Sequence, residues 1–276
     1  MDKLEGMGKI AVIGAGSIGE ALIAGMVAAG VDPRSIVATN RSSERSAALA
    51  ERFGIETSNN NVEAVTDADV ALLCVKPAQI ADVLAEIGDT LAVADDCAVV
   101  VSMAAGVTLA TMEEAVPVAG APIVRVMPNT PMLVGKGVLA VAYGRYVAED
   151  QREAVHELLA TAGRVIEVDE GQLNAVTALS GSGPAYFFLL AEALIDAGVA
   201  LGLPRELARE LARSTAAGAG AMLERGDDPV ALRAGVSSPA GTTVAAIREL
   251  EESGLRGALY RATEKCAQRA GELSHR

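Results

Sequence analysis

The chain holds two histidines, His156 and His275. His156 sits in a helical pattern near Glu153 and Glu157, and His275 is in the terminal tail, so both read as solvated. That argues against a Ser-His-Asp or Cys-His arrangement and against a His-rich metal site. Cys74, Cys97 and Cys266 are far apart and set among apolar residues. They read as buried thiols of a reducing compartment, not as disulfide partners or metal ligands. Difficult chemistry must then come from a bound cofactor. The residues suited to hold one stand near the N-terminus, where the strand-like run Lys9–Ile13 leads into Gly14-Ala15-Gly16-Ser17-Ile18-Gly19 and then an apolar helical pattern. A bare G-x-G-x-x-G says little, but here it joins a first strand to a helix. Gly14 permits the tight turn, Gly16 lets the backbone approach a pyrophosphate, and Gly19 lets helix and strand pack closely. The pyrophosphate would meet the free amides at the helix start. Ile13, Gly14, Ala15, Gly16, Ser17, Ile18 and Gly19 are therefore the first candidate cofactor residues.

The end of the second strand selects the dinucleotide. An acidic residue about 20 positions on would bind the ribose 2′-hydroxyl of NAD. This chain has Thr39-Asn40-Arg41-Ser42-Ser43 there. No carboxylate repels a 2′-phosphate and Arg41 can pair with one, so NADP (as NADPH) is preferred, with NADH as the alternative donor. Cys74-Val75-Lys76-Pro77 and Ser102–Gly106 lie at strand carboxyl ends, the binding edge of such sheets. Met127-Pro128-Asn129-Thr130-Pro131 follows another strand. Further on, Ser180–Pro184 is a glycine-rich approach to a helix. Ser237-Ser238-Pro239-Ala240-Gly241-Thr242-Thr243 reads as a helix start, with Ser238 as cap and Pro239 in the first turn. Free amides at Gly241, Thr242 and Thr243 would then suit a small carboxylate.

The elements that must position these residues alternate up to about residue 168. Strand patterns at Lys9–Ile13, Ser35–Ala38, Asp69–Val75, Ala98–Ser102, Pro122–Met127, Gly137–Ala142 and Val165–Val168 are separated by helical ones, including Gln79–Ala94. The strands lack polar alternation, as strands buried on both faces do. The expected fold is α/β, an N-terminal Rossmann doubly wound parallel sheet followed by an all-α C-terminal dimerisation domain. The expected bounds are 1–168 for the dinucleotide-binding domain and 169–276 for the helical substrate and dimerisation domain. The helix from Pro184 is apolar nearly all round and needs cover on every side, so an intertwined homodimer is expected. Glu192 and Asp196 interrupt it, which argues for a soluble helix rather than a membrane span. The net charge of −13 opposes binding to nucleic acid or to an anionic membrane. Met1–Gly8 carries no cleavable signal pattern, so a cytoplasmic protein is expected.

Six segments, Gly14–Gly19, Val75-Lys76-Pro77, Ser102–Gly106, Arg125–Pro131, Leu179–Tyr186 and Ser237–Thr243, occur in an order that resembles the motif series of the pyrroline-5-carboxylate reductase family. L-S-G-S-G-P-A-Y and S-S-P-A-G-T-T are the specific part. The resemblance implies NADPH-dependent hydride transfer to the C=N carbon of L-1-pyrroline-5-carboxylate, giving L-proline, in homodimers that often assemble into larger rings. It implies cofactor contacts at Asn40, Asn60, Val75, Lys76, Pro77, Met103 and Ala104, joined here by Arg41 and Cys74. It implies substrate contacts at Glu170, Thr242 and Thr243, beside the Gly241 amide. Thr243 is the candidate catalytic residue, orienting the ring nitrogen through its hydroxyl. The family usually has two glycines after the Ser-Pro; Ala240 replaces the first, which a helical position would tolerate. Ala234-Gly235 also departs from the family pattern, which often has polar side chains there.

Three rivals are weaker. A 3-hydroxyacid dehydrogenase would place a catalytic Lys in the helix after Ser180–Gly183, and residues 185–200 contain none. A ketol-acid reductoisomerase would need carboxylate-bound Mg²⁺; Glu192 and Asp196 share a helical face, but read as a polar stripe. A non-catalytic NADPH-binding redox sensor would need a partner-binding module that the sequence lacks.

Overall fold

The computed structural model describes residues 8–91 and 98–274; Cys97, His275 and the end of the expected 79–94 helix lie outside them. The chain divides into two compact units. One runs up to Gly181 and takes in the chain again from Cys266, and the other is Ser182–Lys265.

In chain order, the first unit contains β1 (Ile10–Ile13), α1 (Ser17–Ala28), β2 (Ile36–Thr39), α2 (Ser43–Phe53), β3 (Glu56–Ser58), α3 (Asn61–Val65), β4 (Val70–Leu73) and α4 (Ile80–Leu91). It continues with β5 (Val99–Ser102), α5 (Leu109–Ala115), β6 (Ile123–Met127), β7 (Gly137–Tyr143), α6 (Glu149–Ala160), β8 (Gly163–Glu167) and α7 (Leu173–Val176). The strands form one sheet in the order β3-β2-β1-β4-β5-β6-β7-β8. Its first six places follow the Rossmann order, with the switch point between β1 and β4.

Strand geometry explains the apolar runs. Side chains alternate between faces, and Ile10, Val12, Val70 and Leu72 pack on one side with Leu22, Ile23 and Met26 of α1 and Leu158 and Leu159 of α6. Ala11, Ile13, Ala71 and Leu73 pack on the other with Ile80, Leu84 and Ile87 of α4 and Met112 of α5. Each large side chain so buried contributes about 1.5–3 kcal/mol.

Two features depart from the sequence reading. β7 runs antiparallel to β6, because the segment between Met127 and Gly137 is too short for the crossover that a parallel neighbour requires. The first helix of the expected all-α part is not regular, since α7 passes into a π-helical turn at Thr177–Gly181. Asn129 fastens that turn to the sheet. Its Nδ2 donates to the Ser180 carbonyl (3.2 Å) and Oγ (3.3 Å), while its Oδ1 accepts from Val138 N–H (2.8 Å). The returning end of the chain packs against this unit as well, with Leu273 beside Gly106.

The second unit contains α8 (Gly183–Ala200), α9 (Arg205–Glu224), α10 (Pro229–Gly235), α11 (Thr242–Glu252) and the first part of α12 (Leu255–Ser274). Pro184 occupies the first turn of α8 as expected. Gly198 lets α8 approach Ala208 of α9, since a Cβ there would lie 3.0 Å from that methyl. The surface of α8 is apolar and open, with Phe187 67% and Phe188 65% exposed and Leu189, Leu190 and Leu194 more than half exposed. Asp196 pairs with Arg205 at 2.9 Å, and no cluster of three or more metal-ligating side chains occurs among the described residues. Glu170–Ala200 is the one helical run among them with the length and hydropathy to cross a membrane.

Candidate active site

A cleft of about 610 Å³ opens where β1, β2 and β4 end, lined by Ile13, Gly14, Gly16, Asn40, Arg41, Cys74, Val75 and Lys76. The three glycines act as their spacing predicts. Gly14 has φ +77°, and a Cβ on it would strike Val75 Cγ1. A Cβ on Gly19 would crowd Val12 and Ala15, whereas one on Gly16 would make only an ordinary contact with the Gly14 carbonyl, at 3.9 Å. The amides of Gly14 and Ala15 both donate to the Thr39 carbonyl, and that of Gly16 to the Gly14 carbonyl. The first intrahelical bond of α1 runs from Glu20 N–H to the Gly16 carbonyl. The amides of Ser17, Ile18 and Gly19 are left as the donors of the helix start, suited to a pyrophosphate.

Asn40 supplies the sharpest mark of a ligand site. Its Nδ2 is buried with no hydrogen-bond partner, a costly state for an amide unless a ligand completes it. Arg41 beside it is exposed. These groups fit a dinucleotide with a phosphorylated ribose: backbone donors for the pyrophosphate, an orphan amide and a cation past β2.

Pro77 is exposed and begins a 3₁₀ turn after Lys76. Met103 and Ala104 are buried, with Met103 N–H bonded to the Leu73 carbonyl and Ala104 N–H to Ser102 Oγ. Asn60 caps α3, its Oδ1 accepting from Glu63 N–H at 3.2 Å, while its neighbours Asn59 and Asn61 line the cleft. The sequence reading did not single out Asn61 or Glu86, yet they form a polar chain there. Thr39 Oγ1 donates to Asn61 Oδ1 (2.8 Å) and Asn61 Nδ2 to Glu86 Oε2 (2.9 Å). Burial pushes the Cys74 thiol up to about 12, so it is a neutral wall of the cleft and not a nucleophile.

Glu170, also in the first unit, accepts from Arg125 Nη1 (2.9 Å) and from Leu109 N–H (2.7 Å), both on Oε1. Gly241, Thr242 and Thr243 belong to the second unit. Here the structure corrects the expected helix start. α11 begins at Thr242 with Gly241 as its N-cap, and Ser238 does not cap it. Ser238–Gly241 is instead a turn closed by Gly241 N–H donating to the Ser238 carbonyl at 2.9 Å. The Gly241 amide is therefore engaged, and the free donors of the helix start are those of Thr242, Thr243 and Val244. Thr243 is half-buried, and its hydroxyl has no partner among the described residues.

Ala240 is not helical but has φ +57°. Pro at the second turn position and a left-handed residue at the third match a type II turn, which favours glycine there. The left-handed region costs a non-glycine residue about 1–2 kcal/mol. Glycine returns part of that gain through a more flexible unfolded chain. Ala240→Gly should therefore stabilise the protein by about 0.5–1 kcal/mol, raising Tm by roughly 2 °C in calorimetry. An unchanged or lower Tm would show that the turn carries no strain.

The pattern described as pyrroline-5-carboxylate reductase dimerisation matches residues 170–273. The one described as NADP oxidoreductase, coenzyme F420-dependent, matches residues 9–106. A pyrroline-5-carboxylate reductase of Corynebacterium melassecola is 58% identical over 97% of this chain and 99% of its own. Among solved structures, a pyrroline-5-carboxylate reductase from Coxiella burnetii superposes with a TM-score of 0.92 at 39% identity, covering 97% of this chain and 99% of its own. A Plasmodium falciparum pyrroline carboxylate reductase with NADP bound gives 0.84 at 29% identity, covering 98% and 99%.

Proposed function

Because the chain belongs to the pyrroline-5-carboxylate reductase family, we propose that its N-terminal and C-terminal parts carry out the two halves of one reduction. The protein is an NADP-dependent oxidoreductase that reduces L-1-pyrroline-5-carboxylate to L-proline, the last step of proline biosynthesis. NADPH supplies the hydride, which adds to the C=N carbon while the C=N electron pair passes to the ring nitrogen. We assign 1–168 to dinucleotide binding and 169–276 to substrate binding and dimerisation. In the first part, the helix-start amides of Ser17–Gly19 hold the pyrophosphate, and Asn40 with Arg41 holds the phosphorylated ribose. The orphan amide of Asn40 is the observation that carries this reading, since the polypeptide leaves it a bond that a ligand in the cleft can complete.

In the second part, the amides of Thr242 and Thr243 with the positive end of the α11 dipole receive the substrate carboxylate. This answers the difficulty of binding an anion to a strongly acidic protein. The Thr243 hydroxyl is assigned to orienting the substrate, and Glu170 of the first unit is assigned separately as a substrate residue. A protonated imine arriving from solution needs no strong general acid, in keeping with a chain of only two histidines. Orienting donor and acceptor supplies a large share of such a barrier, about 7–11 kcal/mol in favourable cases.

The exposed apolar face of α8, inside the region that matches the dimerisation pattern, is read as a protein interface rather than a lipid-facing one. The working unit is then a homodimer, with rings of dimers as the larger assembly, in the cytoplasm. With pyrroline-5-carboxylate as the only acceptor, the purified protein should oxidise NADPH and release L-proline in equal amounts. No proline at saturating cofactor would overturn the assignment.

A further inference from the structure

Arg125 is the one charged residue buried among the described residues, and nothing in the reduction as set out above uses it. It lies on β6 in register with Ser102, where β5 ends and the Met103–Gly106 segment begins. A guanidinium taken out of water is costly unless it is paired. Here the partner is Glu170, whose carboxylate is 32% exposed while the Arg125 side chain is 8% exposed. Arg125 Nη1 and Leu109 N–H both bind Oε1. Oε2 takes no bond from the described residues. The pair is thus asymmetric, with one oxygen anchored to a strand and a helix start and the other left as a free acceptor.

We infer that Arg125 is a positioning residue for the reduction. It holds Glu170 by Oε1 so that Oε2 is kept for a cationic N–H donor, the protonated ring nitrogen of the cyclic imine. This rests on the reading of Glu170 as a substrate residue. A carboxylate beside that nitrogen favours the iminium form, which is the form whose carbon accepts hydride. Once hydride has added, the former C=N pair rests on nitrogen, the local cation is gone and the contact weakens. The interaction is therefore stronger before and during transfer than after it, and fixing the carboxylate spares the reaction the cost of orienting it.

The test is a cycle on the full-length protein with Arg125→Met, Glu170→Gln and the double variant. NADPH affinity is read separately by the fluorescence of the bound nucleotide. Arg125→Met should lower kcat/KM for pyrroline-5-carboxylate by about tenfold or more, the loss expected for one charge-assisted bond. Affinity for NADPH should stay within about twofold. In the Glu170→Gln background the same change should cost less than about twofold further, because groups acting through one contact do not add. Arg125→Lys, which keeps the charge but shortens the reach, should recover part of the loss. If Arg125→Met does not fold, the cycle is run with Arg125→Lys, whose smaller loss should likewise vanish beside Glu170→Gln. Multiplicative losses, or a parallel fall in NADPH affinity, would overturn the inference. Absent turnover in the unmodified protein would instead strike the assignment of the reaction itself.

Discussion

Phe188→Asp should leave the protein monomeric at micromolar concentration while its nucleotide cleft remains intact. Phe188 stands among Phe187, Leu189, Leu190 and Leu194 on α8, all of them more than half exposed in the single chain. An apolar surface of this extent marks an interface. Burying one phenylalanine contributes about 1.5–3 kcal/mol, and a two-fold dimer loses that contribution twice. Each 1.4 kcal/mol is about tenfold in affinity, so the dimer should loosen by roughly two to four orders of magnitude. The burial of an unpaired carboxylate adds to this. Sedimentation velocity reads the assembly, and NADPH fluorescence with circular dichroism shows that the fold survives. A Phe188→Asp protein that sediments as the unmodified one does would mean that α8 is covered in some other way.

Arg41→Asp should invert the cofactor preference. Arg41 lines the cleft past the end of β2, beside the orphan amide of Asn40. A hydrogen bond to a charged group contributes about 1.5–3 kcal/mol, and aspartate adds repulsion against a 2′-phosphate. The ratio of kcat/KM for NADPH to that for NADH should fall by roughly tenfold or more. Most of the loss should lie on the NADPH side, since NADH has no phosphate to lose. Equal losses for the two donors would show that Arg41 reads nothing at that position.

Much of this could be read from the chain, for identifiable reasons. β1, β4 and β5 are buried on both faces, so β1 and β4 are unbroken apolar runs and β5 is one up to its last residue, Ser102. The glycine spacing 14, 16, 19 has few other uses between a strand and a helix. What escaped had weaker signals. β3 is a partly exposed, three-residue edge strand, Glu56-Thr57-Ser58, with no apolar pattern. α5 and α10 are single short helices, although their caps were in plain sight. Thr108 accepts from Thr111 N–H, and Asp228 accepts from Ala231 N–H ahead of Pro229.

The reversal of β7 was legible in principle from the short segment before it. In the site, periodicity cannot say which of three consecutive asparagines turns into the cleft, and Asn60 is occupied in capping a helix. The Ser238-Pro239-Ala240-Gly241 segment satisfies two readings, helix cap and type II turn. Only the sign of φ at Ala240 separates them.

The final helix carries the chain back into the first unit, where Leu273 packs beside Gly106. These partners lie more than half the chain apart, which raises the contact order of a unit otherwise built from local strand–helix repeats. During synthesis an N-terminal domain generally folds as it emerges. Here that schedule has a gap. The sheet can form early, but the packing of Leu273 beside Gly106 must wait for the end of α12. The first unit can therefore begin to fold before the second but is completed after it. A nascent chain stalled before residue 266 would hold all eight strands of the sheet without Leu273 beside Gly106.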